Sequence, residues 1–160
     1  MRALAATLLL VACQRAPTEA TTPGDRLEAA AIARGLVADP ARAGLVGLWA
    51  SETDRVCVVP AGGGHRIGIS VDYGEGQGCA AAGTVERVGE RLRMRLGECA
   101  FDAGFDGERI AFPPELPAAC ASFCTGRATL SALSVDRLSG SASEASMMRL
   151  PSGRRLCGPA

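Results

Sequence analysis

Apolar and polar residues alternate along much of the chain beyond residue 45, and this pattern predicts short β-strands. Between residues 66 and 73 the apolar positions are Ile67, Ile69, Val71 and Tyr73. Between residues 91 and 96 apolar residues alternate with Arg91, Arg93 and Arg95. A period of two puts successive side chains on opposite faces of a strand, so we expect a sheet with one face in the core and one in solvent.

Turn signals between these strands indicate antiparallel hairpins. Gly89-Glu90 is a two-residue turn, Asp106-Gly107 is a strong hairpin signal, and Pro151-Ser152-Gly153 separates residues 147–150 from 154–157. Sequential hairpins predict a mainly β fold, a small antiparallel meander barrel of about 8–10 strands, with a two-sheet sandwich as the alternative. A barrel is favoured because closure leaves no exposed strand edge.

Two segments late in the chain are less regular. Three prolines interrupt residues 113–124, and we expect residues 118–124 to form a short helical turn. Leu130, Leu133, Val135 and Leu138 fit either a strand or a helix, and we expect a strand over residues 127–135.

Ahead of the barrel we expect one short helix. Asp25 is a suitable N-cap, and Pro40 ends the helical spacing. The face of this helix would comprise Leu27, Ala30, Ala31, Arg34 and Val37. The expected organisation is a signal peptide at residues 1–12, a flexible tether at 13–24, a short N-terminal helix at 25–40 and a β-barrel domain at 41–160.

The first thirteen residues have the layout of an export signal. Arg2 precedes a nine-residue run without charge, which is too short to span a bilayer. Leu10-Val11-Ala12-Cys13 resembles the lipobox of bacterial lipoproteins at all four positions. The resemblance implies cleavage before Cys13 and lipid on that residue, and an ordinary signal peptide is the alternative. Gln14 follows Cys13 where Asp would indicate inner-membrane retention, so the resemblance favours the outer membrane.

The charge balance gives no indication of a nucleic-acid partner. The chain has 17 basic and 17 acidic residues. Loss of Arg2 with the signal leaves 16 basic against 17 acidic residues, a net charge of −1. Nucleic-acid binding requires a clustered basic excess, so we expect no such partner.

Seven cysteines are present, and six of them follow Cys13. An even number in an exported chain predicts disulfides. We expect three bridges among Cys57, Cys79, Cys99, Cys120, Cys124 and Cys157. The chain has no CxxC pair and only one histidine, His65, so neither a metal site nor a thiol redox centre is expected.

The start of the expected barrel resembles known families. Gly47-Leu48-Trp49 is similar to the opening of lipocalins, which implies that Trp49 plugs one barrel end and stacks on a late arginine, Arg154 or Arg155. The alternative is that Trp49 is an ordinary core residue. With Cys57, Gly78-Cys79 and a glycine-turn hairpin, residues 45–96 resemble the periplasmic metalloprotease inhibitors of Gram-negative bacteria and their outer-membrane lipoprotein relatives.

That second resemblance implies an eight-stranded barrel with one early disulfide, which maps to Cys57–Cys79. The pairing of the other four cysteines stays open. The chain departs from the family in those extra cysteines, in its proline-rich segment and in its N-terminal helix. The inhibitors insert a free N-terminal segment into the protease, which a lipidated Cys13 would not supply.

No catalytic motif is visible, so binding is the expected task. His65 follows three glycines, but the Lys and Ser/Thr of a P-loop are missing, and a hairpin loop explains the glycines. The glycine-rich segment 72–78 is the candidate binding loop, through Asp72, Tyr73 and Glu75, because loops on rigid scaffolds often carry recognition. In the alternative, Tyr73 ends its strand and points inward. The arginines of residues 91–95 suit anionic sugars or lipid headgroups, or simply form a solvated face.

These observations predict an outer-membrane lipoprotein that acts as a non-catalytic binding module resembling protease inhibitors. The expected partners are the membrane, through the lipid anchor, and a periplasmic protein. No enzyme activity, cofactor or metal is expected. The alternatives are a structural envelope lipoprotein without a ligand and a lipocalin-like binder of small molecules.

Overall fold

The computed structural model describes residues 22–37 and 39–157, and its contacts divide the chain into two units, residues 1–37 and 38–160. The expected signal peptide and Cys13 lie outside the described residues. In the first unit, α1 spans Pro23–Ala33. Thr22 is the N-cap: its hydroxyl accepts a hydrogen bond from the Asp25 amide, and the Asp25 carboxylate accepts one from the Thr22 amide at 2.6 Å.

The helix therefore begins earlier and ends earlier than expected. Asp25 is the third helical residue rather than the cap, because Thr22 and Asp25 form a reciprocal capping box. The helix stops at Ala33, ahead of Pro40, because Gly35 adopts a left-handed conformation with φ 67°. No residue of α1 is buried.

The second unit is a closed barrel of eight antiparallel strands. The strands are β1 Gly47–Ala50, β2 Arg55–Ala61, β3 Gly64–Gly74, β4 Gln77–Val88, β5 Arg91–Leu96, β6 Cys99–Phe105, β7 Arg109–Ala111 and β8 Ser134–Ser139. Each strand pairs with the next, and β8 closes on β1. The meander barrel is confirmed, with turns at Gly89-Glu90 and Asp106-Gly107 as expected, and the sandwich alternative is wrong.

Side chains from alternate positions of the strands fill the barrel. In β5 the three apolar residues are buried and the three arginines are exposed, as the alternation predicts. The inward residues form one core cluster that includes Trp49, Ile67, Leu92 and Met94, all with no exposed surface. The interior is therefore occupied by packed side chains.

Arginines close the proximal end of the barrel, which we define as the end where β1 begins. The Arg137 guanidinium lies 4.1 Å from the centre of the Trp49 ring and donates to the carbonyl of Gly44. The Arg87 guanidinium lies 4.8 Å from the centre of the Phe105 ring. Burial lowers the pKa of Arg137 from its ordinary value. The expected stacking on Arg154 or Arg155 is wrong, because the last strand is β8 and its Arg137 faces Trp49.

The long connection between β7 and β8 closes the opposite end, which we call the distal end. It contains a 3₁₀-helix, Ala118–Phe123, which confirms the expected short helical turn. Cys120, Ala128, Leu130 and Leu133 of this connection belong to the barrel core. The expected strand over residues 127–135 is wrong, because Leu130 and Leu133 pack at the barrel end and pairing begins only at Ser134.

A second layer lies on the outside of the barrel, against β1 and β2. Helix α2, Ala142–Met147, and the segment up to Cys157 bury a separate apolar cluster. Its members are Cys57, Val59, Ala145, Leu150, Leu156 and Cys157. The hairpin expected around Pro151 is reduced to a turn with one bridge, Arg149 to Arg155.

Three nested disulfides join these parts, and the presence of three bridges is as expected. They are Cys57–Cys157, Cys79–Cys124 and Cys99–Cys120. The pairing Cys57–Cys79 is wrong. Cys57 lies on β2 in the outer cluster, whereas Cys79 lies on β4 in the inner core, with β3 between the two strands.

Candidate functional site: a groove at the distal end

The hairpin between β3 and β4 places the residues of the expected binding loop. The register pairs Asp72 with Gly78 and Gly74 with Gln77, so Tyr73 is an extra residue in a β-bulge. The bulge breaks the alternation and leaves Tyr73 56% exposed. The inward orientation of Tyr73 that its parity suggests is therefore wrong.

The tip of this hairpin is a tight turn of two residues, Glu75-Gly76, between the paired residues Gly74 and Gln77. Gly74, Glu75 and Gly76 have φ of 76°, 53° and 75°. Two successive positive φ angles are typical of the two-residue hairpin turns whose twist matches the flanking strands. The Asp72 carboxylate accepts a hydrogen bond from the Gly74 amide at 2.8 Å, which supports the bulge.

The β7–β8 connection holds the β3–β4 hairpin through hydrogen bonds of Thr125. The Thr125 hydroxyl accepts from the Gly78 amide at 3.2 Å and donates to the Gly76 carbonyl at 3.0 Å. The Thr125 amide donates to the Gly78 carbonyl at 2.8 Å. The disulfide Cys79–Cys124 lies directly beside these bonds. Several bonds to one short segment hold the hairpin in a defined position.

A groove of about 500 Å³ lies beside this hairpin. One wall is the hairpin itself, and Phe123 and Thr125 contribute from the β7–β8 connection. Leu150, Pro151 and Ser152 of the outer layer form the opposite side. Ala80, an exposed residue on the outer face of β4, also lines the groove. Its volume lies within the range of ligand pockets, about 300–1,000 Å³.

Carboxylates surround the groove on the hairpin side. Asp72 and Glu75 line it, and the Asp54 carboxylate on the neighbouring β1–β2 turn accepts from the Asp72 amide at 3.3 Å. Among residues 39–157 none of these carboxylates forms an ion pair. The guanidinium of Arg55 donates to the backbone carbonyls of residues 51, 52 and 54, and no ion pair is formed between it and these carboxylates in residues 39–157. The groove therefore combines apolar walls with a negative rim.

The structure brings Asp72 and Glu75 together with residues that sequence reasoning did not identify. Phe123 lies 45 residues or more beyond the hairpin, and Leu150 is further still along the chain. The disulfides Cys79–Cys124 and Cys57–Cys157 bring their segments to the groove. In the sequence, only the nearby cysteines pointed to these residues, and using that signal required the correct pairing.

The other residues considered for chemistry lie elsewhere. His65 is half-buried at the start of β3, opposite Pro60 and Val85, next to the tight Gly62-Gly63 turn. The three arginines of β5 lie on the outer face of the barrel. Within the part of the chain that the structure describes, no three His, Cys, Asp or Glu residues are grouped as metal ligands.

Comparisons with known proteins give no match. No family model matches the chain, and no curated protein or solved structure matches it. In the described residues, no helix has both the length and the apolar character needed to cross a membrane.

Proposed function

We propose that this chain is a lipid-anchored envelope lipoprotein whose barrel binds a protein partner through the distal groove. The observation that carries the proposal is the groove itself: mainly apolar walls, a negative rim and rigidly held edges. Side chains fill the barrel interior, so recognition is assigned to the outer surface. The partner would present an apolar segment next to a basic group, complementary to Asp72 and Glu75.

Tyr73 supports binding to a protein rather than to a small molecule. Tyr73 is 56% exposed, on a bulge between Asp72 and Gly74, which line the groove although Tyr73 itself does not. Tyrosine is enriched at protein interfaces because it offers a large contact area together with a polar hydroxyl. The ring would extend the contact surface beyond the groove.

The disulfides support export. All six cysteines of the barrel are paired, and structural disulfides persist in oxidising compartments. Cys13 is the seventh cysteine and stands at the end of the sequence that resembles a lipobox. We therefore assign Cys13 as the lipidation site and the outer membrane as the location, and we assign no catalytic activity or cofactor.

The anchor is tested by Cys13→Ser. We expect this variant to lose incorporation of labelled palmitate completely, because the thiol that carries the lipid is removed. The measurement is palmitate labelling followed by fractionation of the envelope. Ala12→Gly, which keeps a small residue before the cut and keeps the thiol, is the matched control and should still be labelled. Unchanged labelling of Cys13→Ser would overturn the anchor.

The groove is tested by Ala80→Trp, which places a large ring in it from an exposed strand position. We expect loss of at least about tenfold in partner binding, equivalent to about 1.4 kcal/mol, because the groove is filled. Ala82→Trp is the matched control, since Ala82 is the next outward residue of β4 and does not line the groove. The measurement is affinity capture from the envelope with both variants and the unchanged protein.

A partner that is retained by the unchanged protein and by Ala82→Trp, but lost with Ala80→Trp, would support the groove. A partner captured equally by all three chains would contradict it. Capture of no specific partner by any of them would favour the structural lipoprotein without a ligand. Circular dichroism of both variants checks that the barrel is intact.

The more specific version of this proposal is protease inhibition. This version rests on the resemblance of residues 45–96 alone, because the stack of Arg137 on Trp49 is what the lipocalin resemblance implies, and the bridge Cys57–Cys79 that the inhibitor resemblance implies is replaced by Cys57–Cys157 and Cys79–Cys124. A direct assay of envelope metalloproteases with and without the purified protein tests it. Full protease activity at saturating protein would exclude inhibition and leave the binding proposal standing.

A further inference from the structure

A group of four arginines lies on the outer surface of the barrel, further along β3 and β4 than the groove. Arg66 is on β3 and Arg91, Arg93 and Arg95 are on β5, accompanied by the carboxylates of Glu86 on β4 and Asp102 on β6. We call these six residues the arginine face. These six residues sum to a charge of +2, and the exposed carboxylates of Glu90 and Glu98 lie in the turns at the two ends of β5, while the complete chain is neutral.

The strand register determines the spacing of the arginines. Arg66 and Arg95 both pair with Thr84 of the intervening strand, which puts their Cα atoms about 10 Å apart. Arg91 and Arg95 lie on the same side of β5 and are about 13 Å apart. The positive groups thus form a broad two-dimensional array.

The carboxylates neutralise only part of this array. Arg93 forms an ion pair with Glu86 at 3.6 Å, and Asp102 lies opposite Arg93 on the neighbouring strand β6. Arg91 and Arg95 make no ion pair within residues 39–157. Opposite Arg95 stand Thr84 and Ala100, and opposite Arg91 stand Val88 and Gly104, none of which carries charge. Both arginines are exposed to solvent.

Two open depressions run along this face and share Arg93 and Arg95. One, of about 460 Å³, also includes the glycines of the β2–β3 turn and Arg66. The other, of about 360 Å³, includes Ala100 and Asp102 on the far side of β5. The three arginines of β5 are exposed, and small residues such as Gly62, Gly63 and Ala100 line the depressions beside them. Planar guanidinium groups bind phosphate oxygens through paired N–H donors.

We propose that the arginine face docks the barrel on the phosphate groups of an anionic membrane surface. A planar layer of headgroups offers many phosphates at once, and it matches a broad array of arginines better than a single small anion does. The glycine turn and the short side chains of this face would let the surface approach closely. The proposal uses the anchoring proposed above only for its biological setting, since the contact itself depends on the barrel alone.

The arginine face and the distal groove are separate parts of the outer surface. Arg66 is four residues from Ser70, the first residue of β3 that lines the groove, which corresponds to about 13 Å. The carboxylates at the groove would be repelled by anionic headgroups. The arginine face would therefore meet the membrane, and the distal groove would meet a protein.

The experiment uses the mature chain, residues 13–160, with Cys13→Ser, so that no lipid contributes. Co-sedimentation is measured with neutral phosphatidylcholine vesicles and with vesicles containing about 30 mol % phosphatidylglycerol. We expect binding only to the anionic vesicles, and we expect added salt to weaken it because it screens exposed charges. Failure of lipid labelling in the intact protein would not affect this result, so the two proposals fail independently.

The test variant is Arg91→Gln with Arg95→Gln. A basic residue near an anionic surface contributes about a fivefold gain in binding, so we expect the double variant to bind about 30-fold more weakly. The matched control is Arg127→Gln with Arg154→Gln, which changes the net charge equally at two exposed arginines outside the face. The control should bind within about twofold of the unchanged protein.

Two results would overturn the proposal. Equal weakening of both double variants would mean that only the net charge matters and that the face has no special role. If inorganic phosphate, at a total concentration equal to that of the lipid phosphate, displaced the protein from the vesicles, the arginines would bind a small anion and not a membrane surface. Circular dichroism of the variants confirms folding, and sedimentation without vesicles excludes self-association.

Discussion

Replacing Cys57 and Cys157 together by alanine is expected to lower the free energy of unfolding by about 4 kcal/mol. This bridge closes the outermost of three nested loops. The path from Cys57 to Cys157 that crosses the inner bridge Cys79–Cys124 is about 57 residues long. Constraint of the unfolded chain by a loop of this length corresponds to about 4 kcal/mol. The measurement is urea unfolding of the oxidised mature chain.

The matched control removes Cys99 and Cys120, whose loop spans 21 residues and whose expected cost is smaller, about 3 kcal/mol. Only the first variant should release the outer layer, because Leu150, Leu156 and α2 pack outside the barrel core. A cost below about 1 kcal/mol for the first variant would contradict the prediction.

Tryptic peptides of the non-reduced protein give an independent check on the pairing. Cleavage after arginine should leave peptide 56–66 joined to peptide 156–160, and peptides 67–87, 96–109 and 110–127 joined as a group of three. A product joining 56–66 to 67–87 would restore the pairing Cys57–Cys79 and contradict the structure.

Replacing Trp49 by alanine is expected to lower the free energy of unfolding by about 3–5 kcal/mol. The ring is fully buried, meets Phe105 edge-on at 5.7 Å, lies under Arg137 and donates from Nε1 to the Leu45 carbonyl at 3.2 Å. Its removal leaves a cavity at the proximal end and an unpaired carbonyl. Unfolding is followed by far-UV circular dichroism, since Trp49 is the only tryptophan in the chain.

One further variant separates the causes of this loss, and a second serves as a control. Trp49→Phe keeps an aromatic ring next to Phe105 but loses the Nε1 hydrogen bond, so it should cost about half as much as the alanine variant. Tyr73→Ala removes a largely exposed ring and should change the stability by less than about 1 kcal/mol. Similar losses for Trp49→Ala and Tyr73→Ala would contradict the role given to Trp49.

The bulge at Tyr73 illustrates where local reasoning fails. Alternation over Ile67, Ile69 and Val71 gives the correct inward face of β3, and the next residue in that series is Tyr73. A β-bulge inserts one residue, so every later position changes face. The bulge arises from pairing with β4 and from the tight turn at Glu75-Gly76, which the alternation of one strand does not contain.

Local patterns in the chain were enough to predict the mainly β meander, most of its hairpins and the number of disulfides. Those features depend on alternation, on turn residues and on an even count of cysteines, all of which are local or compositional. The partner of each cysteine, the arginine that stacks on Trp49 and the residues that line the distal groove were decided only in the tertiary structure. Each of them depends on the strand order and on which face of the barrel a side chain occupies, and closure brings together residues up to 100 positions apart in the chain.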